Sequence, residues 1–157
     1  MKTIETLVIG AGQAGLAAAW HLKKNQANFL ILEATNQIGG SWHHYYDSLK
    51  LFSPAAYSSL PDFSFPKTAH VYPLRDEVIN YLKSYAEKFN FPIQLNESVI
   101  SVIPNDQGFE VLTSQNNRYQ TKTIIAASGA FAKPYIPKIK GLDKFKGKII
   151  HSASYLN

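Results

Sequence analysis

The chain has 157 residues, and a domain of that length buries roughly 68–70% of the surface its unfolded chain exposes, enough for a real core. An apolar fraction of 45% and a charged fraction of only 17% exclude a disordered chain and a coiled coil. No cysteine is present, which excludes a disulfide framework, thiolate metal sites, a dithiol redox pair and a cysteine nucleophile.

Sixteen basic against eleven acidic side chains give a net charge of +5, and the excess is local: residues 118–157 carry eight Lys and Arg against Asp143 alone. Only Arg75 and Arg118 are arginines. Recognition of base edges and phosphates leans on arginine, so the basic stretch reads as a solvated lysine face and no nucleic-acid partner is expected. The longest apolar run, Leu7 to Trp20, is interrupted by glycines and Gln13 and is too short to span a bilayer. Glu5 and the glycines also break any signal-peptide pattern, so a cytoplasmic location without a membrane partner is expected.

Leu7, Val8 and Ile9 form a short β-branched run that stops at Gly10, as a buried parallel strand does. The next twelve residues read as a helix closed by Lys23, Lys24 and Asn25, and Phe29 to Leu32 as a second strand ending at Glu33. This order opens a βαβ unit. From Asn36 to Pro73 periodicity is lost, but Trp42, Tyr45, Tyr46, Phe52, Tyr57, Phe63 and Phe65 give the loop the composition of an ordered segment.

A helix returns near Asp76, with Val78, Ile79, Leu82, Tyr85 and Phe89 as its apolar stripe and Asn80, Lys83 and Lys88 outside. Phe91 to Leu95 reads as a short strand. Val99 to Ile103, Phe109 to Thr113 and Tyr119 to Thr121, separated by turn-forming residues, read as a three-stranded antiparallel meander. Thr123 to Ala127 reads as a further buried strand meeting Ser128-Gly129. Pro134 and Pro137 exclude regular structure before a last strand at Lys148 to Ile150.

Gly10-Ala11-Gly12-Gln13-Ala14-Gly15 is a G-x-G-x-x-G between strand and helix. In that context the glycines allow a tight turn, close approach of backbone to a pyrophosphate, and close helix-to-strand packing, with the phosphate on the helix N-terminus. Glu33, eighteen residues after Gly15, can accept from both hydroxyls of an adenosine ribose and repels a 2′-phosphate, which favours FAD or NAD over NADP here. The loop Trp42-His43-His44-Tyr45-Tyr46-Asp47 contains two histidines and a carboxylate, but neighbouring ligands rarely face one ion and His70 is distant. No metal site is expected.

With Gly39-Gly40-Ser41-Trp42 following Glu33, the chain resembles the FAD-dependent monooxygenases of the flavin-containing, N-hydroxylating and Baeyer-Villiger group. The resemblance continues through Tyr46 to Leu51, Ser59 to Pro66, Tyr72-Pro73, the spacing G-x4-P-x2-P from Gly129 to Pro137, and Phe145-x-Gly147-x3-His151-x3-Tyr155, which is similar to that group's identity motif. It implies an α/β Rossmann-like FAD/NAD(P)-binding domain with a parallel sheet and the antiparallel meander. It further implies that Gly10, Gly12, Gln13, Ala14 and Gly15 hold the pyrophosphate and Glu33 the ribose. Gly40 and Trp42 would lie along the flavin half, the Val99 backbone would meet the adenine, and Ser128-Gly129 would close over the dinucleotide. His151 would occupy a hinge toward an NADPH domain; read alone, it is a histidine capping a strand end.

In such enzymes NADPH reduces FAD and a flavin C4a-(hydro)peroxide oxygenates a small organic substrate. Phe52 stands where animal-type members carry an asparagine that supports this species, so that role is not carried over. His43 and Leu156 also depart from the commoner basic residues, and the substrate is left open. The resemblance implies a second glycine fingerprint for NADPH and a closing strand with a Gly-Asp. Neither occurs within the 157 residues, so residues 1–157 are expected to be the FAD-binding portion, inactive alone. Its exposed apolar surface is expected to meet the remainder or a second copy. The alternative is a dinucleotide- or partner-binding module without turnover. A reductase of the disulfide type would lack its dithiol.

Overall fold

Alternating side-chain directions along adjacent strands divide the core in two. On β1 (Lys2–Ile9) and β2 (Phe29–Leu32), Val8 and Ile31 face the helices α1 (Gln13–Lys24) and α2 (Arg75–Phe89), while Leu7, Leu30 and Leu32 face the opposite side. There they join Val111 and Tyr119 from β5 (Gly108–Thr113) and β6 (Arg118–Ala126). This is a computed structural model describing residues 1–129 and 134–156. With β3 (Ile93–Gln94) and β4 (Val99–Asn105), the strands form one six-stranded sheet in the order β3-β2-β1-β6-β5-β4. The first four are parallel and the last two antiparallel, giving the α/β architecture with its meander that the sequence predicts.

Four elements differ from the sequence reading. β1 begins at Lys2, because its polar first half pairs in register with β6, Lys2 opposite Tyr119 and Thr6 opposite Thr123. The third meander strand and the following apolar strand are one continuous β6: no turn residue intervenes, so the chain pairs with β5 as far as Thr121 and with β1 as far as Ala126. Past Thr121 the far flank of β6 has no strand partner among the described residues. Ile124 and Ile125 are therefore only half-buried, where the sequence reads a buried strand. Lys148 to Ile150 form no strand, and the expected strand at Phe91 to Leu95 contracts to Ile93–Gln94.

The long aromatic loop is ordered against α2. Phe63 and Phe65 stack on Tyr81, with ring centroids at 5.4 and 4.0 Å, and Tyr81 accepts a hydrogen bond from the Leu60 N–H at 2.6 Å. The Tyr85 hydroxyl donates to the Pro61 carbonyl at 3.0 Å. α2 thus has a second buried face, so Tyr81 and Ala86 join Val78, Ile79, Leu82 and Tyr85 in the core, while Phe89, at the helix end, is half-buried. Burial pushes the Tyr81 and Tyr85 phenols up. Lys83 is likewise half-buried, whereas Asn80 and Lys88 are exposed. Among the described residues no helix is long and apolar enough to cross a membrane.

Candidate functional site

The three glycines of the strand-to-helix turn meet different demands. Gly10 has φ of +106°, and a Cβ there would lie 2.5 Å from the Ala127 carbonyl oxygen, so both conformation and space exclude a side chain. A Cβ on Gly15 would fall 1.9 Å from the Gly10 carbonyl oxygen, which is the close helix-to-strand packing expected of the third glycine. Gly12 is different. Its φ is −82°, and a Cβ would meet only the Gly40 Cα, at 3.8 Å. The protein's own packing does not require glycine here: a Cβ would make one ordinary contact and no clash.

Gly12 is also the N-cap of α1, with no side chain capping the helix and no acidic residue in its first turn. The amides at the helix start therefore remain available for an anion. Gln13 and Ala14 lie exposed on this turn. Around it, the C-terminal ends of β1, β2 and β6 bring in the other candidates, as expected where parallel strands end. Gly40 packs against Gly12, and a Cβ on Gly129 would lie 3.4 Å from Ser41 Oγ, so the loop after β2 and the one after β6 converge on the same opening.

Glu33 is buried, 5% exposed, and ends up beside the turn. Its Oε2 accepts from the Ala11 N–H at 2.7 Å, and its Oε1 from the Thr35 N–H at 3.0 Å and the Thr35 hydroxyl at 2.9 Å. The Ala11 carbonyl in turn accepts from the Gly39 N–H at 3.2 Å. Ala11 is thereby clamped between the acid and the second glycine loop. The backbone of Glu97 donates to the Glu33 carbonyl at 2.8 Å, which sets the start of β4, and with it Val99, alongside the end of β2.

Trp42 lies in a 3-10 turn at Gly40–His44, half-buried, with Tyr45 edge-on at 5.4 Å. His43 Nε2 is 2.8 Å from the Ile38 carbonyl. Ser128 and Gly129 are exposed; residues 130–133 of the G-x4-P-x2-P stretch lie outside the described residues. His151 caps a 3-10 turn at Ser152–Ser154, its Nδ1 accepting from the Ala153 N–H at 3.0 Å, and not a strand end. The turn leads to Tyr155, whose ring is 6.0 Å from that of Tyr46, and to the Leu156 carbonyl, which accepts from the Asp47 N–H at 2.9 Å.

Sequence reasoning missed Thr35, Ser41 and Arg75. Thr35 belongs to no glycine pattern, although its position two residues beyond an acid gave a signal, since a Thr there can bond back to the acid. Arg75 donates to Asp47 at 2.6 Å, to the Tyr45 carbonyl at 2.9 Å and to Asp76 at 2.9 Å, fastening the loop after Trp42 to the start of α2. Asp76 and Asp47 hold its guanidinium pKa above the ordinary value.

A glycine turn between a parallel strand and an uncapped helix, with a buried carboxylate at the end of the next strand, defines a dinucleotide-binding domain of the FAD/NAD(P) type. Residues 7–156 match the family model described as pyridine nucleotide-disulphide oxidoreductase. An uncharacterized CzcO-like oxidoreductase of Geobacillus kaustophilus is 43% identical over 154 residues, covering 98% of this chain and 44% of that protein. The probable indole-3-pyruvate monooxygenase YUCCA1 of Arabidopsis thaliana is 37% identical over 153 residues, covering 95% of this chain and 37% of that protein. The solved flavin-containing monooxygenase of Stenotrophomonas maltophilia superposes with a TM-score of 0.94 at 35% identity, covering 99% of this chain and 47% of the other. The chain belongs to the pyridine nucleotide-disulphide oxidoreductase family, on its flavin monooxygenase side. It spans less than half the length of these relatives.

Proposed function

We propose that residues 1–157 are the FAD-binding, N-terminal portion of an NADPH- and O2-dependent flavin monooxygenase that oxygenates a small organic substrate. The observation that carries this reading is the turn at Gly12: a glycine the fold does not need, on an uncapped helix start, next to Ala11, whose N–H is held by the buried Glu33. The donor set suits FAD. Gly10, Gly12, Gln13, Ala14 and Gly15 would surround the pyrophosphate, and Glu33 would receive the ribose. The Val99 backbone would meet the adenine, Gly40 and Trp42 would lie along the flavin half, and Ser128-Gly129 would close over the dinucleotide. When bound, FAD supplies the chemistry of accepting hydride from NADPH and activating O2, and the chain binds, orients and shields it.

Two observations support a further part of the protein packing on this one. The flank of β6 past Thr121 has no strand beside it among the described residues, and Phe145, Ile149 and Ile150 are about half exposed. The same surfaces would serve association with a second copy. His151 is proposed as the hinge toward the NADPH-binding part. The contacts of Tyr155 and Leu156 with Tyr46 and Asp47 support this, because they join the segment after His151 to the loop that follows Trp42.

The test is a flavin absorption spectrum of the purified chain, followed by an NADPH-consumption assay with added FAD. Binding of ADP or FAD is expected, with FAD held weakly and no sustained NADPH oxidation. Steady FAD-dependent oxidation by the 157-residue chain would overturn the division of labour, and failure to bind either ligand would overturn the cofactor assignment.

A further inference from the structure

We propose that Thr35 is a positioning residue that fixes Glu33 as a ribose acceptor and so sets the site's preference for nucleotides with free ribose hydroxyls. The inference rests on the reading that the ADP half of a dinucleotide binds at the glycine turn.

A buried carboxylate needs its lone pairs matched, and an ionised one offers about four acceptor positions. In Glu33 three are taken: one on Oε2 by Ala11 and two on Oε1 by the amide and hydroxyl of Thr35. One position remains, on Oε2. Donors on both oxygens fix the plane of the carboxylate, so that the remaining position is held in one place before any ligand arrives. Preorganisation of this kind lets a single hydrogen bond discriminate between ligands.

The hydroxyl of Thr35 contributes this independently of its backbone. Its amide is already placed against Glu33 Oε1, and its carbonyl accepts from the Asn96 N–H at 2.8 Å. Its single hydroxyl proton has two acceptors at the same 2.9 Å, Glu33 Oε1 and the Gln37 carbonyl, and the charged carboxylate is the stronger. Gln37 lies two residues before Gly39, whose amide holds Ala11. Thr35 therefore stands where the acid, the turn and the second glycine loop fix one another. With the hydroxyl removed, Oε1 keeps only the Thr35 amide and Oε2 the Ala11 amide, so the carboxylate is held less firmly and the ribose is met by a less sharply placed acceptor.

Calorimetric titration of the full chain with ADP, 2′-deoxy-ADP and 3′-deoxy-ADP, in the parent, Thr35→Val and Thr35→Ser, tests this. The parent should prefer ADP over at least one deoxy analogue by about tenfold or more, the scale of one hydrogen bond to a charged acceptor. Thr35→Val should reduce that preference to about threefold or less, and Thr35→Ser should restore it. An undiminished preference in Thr35→Val, or a serine variant that behaves like the valine one, overturns the proposal. Should Thr35→Val fail to fold, Thr35→Ala replaces it. Failure of both would make the hydroxyl structural and overturn the proposal as well. A parent that binds ADP without ribose preference sinks this inference alone, whereas a parent that binds no ADP sinks the glycine-turn reading beneath it.

Discussion

The two long helices begin in opposite ways. α2 opens with Asp76 and Glu77 in its first turn, and Glu77 reaches back to accept from the Leu74 N–H at 2.8 Å, the His70 N–H at 3.2 Å and the His70 ring at 3.0 Å. Leu74 has no side-chain acceptor to complete a reciprocal cap, so the acid supplies it alone. α1 opens on Gly12 with neither a cap nor an acid. Free helix-start amides cost stability when nothing meets them, and a short polar residue at the N-cap would meet them. The Leu74 and Arg75 amides at the start of α2 are met by its own chain, by Glu77 and by the Leu49 carbonyl at 2.8 Å; α1 has no such acid, and its turn carries Gly12, where a Cβ would meet nothing closer than the Gly40 Cα at 3.8 Å. A helix start satisfied from within serves the fold, and one left unsatisfied beside such a glycine serves a ligand.

The strongest way to break this contrast is at Gly15. Gly15→Ala places a methyl group where the Gly10 carbonyl oxygen already lies, 1.9 Å away, and should cost on the order of 4 kcal/mol or prevent folding, read by a denaturant melt. If it melts like the parent, the helix does not pack on the turn as described. Gly12→Val should do the reverse. Its stability should fall by no more than about 1 kcal/mol, the scale of an altered N-cap, while ADP and FAD binding is abolished. A valine variant that still titrates with ADP would remove Gly12 from the site.

The smallest effect is expected at α2, where Glu77→Ala should cost about 1 kcal/mol. Its pH dependence sharpens the contrast. Desolvation raises the Glu77 pKa, but the hydrogen bonds from Leu74 and His70 outweigh it and hold the carboxyl below its ordinary value of 4.5. Its contribution is therefore present above that value and is lost as the pH falls through the lower, folded-state one. Thermal melts across the acid range should show that loss in the parent and less of it in Glu77→Ala; parallel curves would mean that Glu77 does not cap the helix.

Legibility in the sequence followed the range of the interactions. The strand at Phe29–Leu32 and the helix at Gln13–Lys24 were readable because a buried β-branched or aromatic run and a lysine-rich helix end are local signals. The joining of Tyr119 to Thr121 with the following apolar run was not, since only pairing to β1 on one side and β5 on the other makes that stretch a single strand. Lys148 to Ile150 show the converse: β propensity without a neighbouring strand produces none. Tyr81 was invisible as core because a loop covers it, and a single helical stripe cannot register two buried faces.

By itself the sequence determined the class of site: three glycines at fixed spacing after a strand and an acid eighteen residues on are covalent facts about where a turn can tighten and where a carboxylate can stand. It gave the three glycines different tasks but not the atoms that enforce them, because those atoms come together only in space. Gly10 and Gly15 are constrained by backbone atoms brought to them by β6 and by the turn itself, whereas a Cβ on Gly12 would clash with nothing. Nor could it show that Glu33 meets Ala11 and Thr35 before it meets any ligand. Hydrogen bonds of a buried carboxylate are settled by distances of under 3.5 Å between segments, and tertiary packing alone sets those distances.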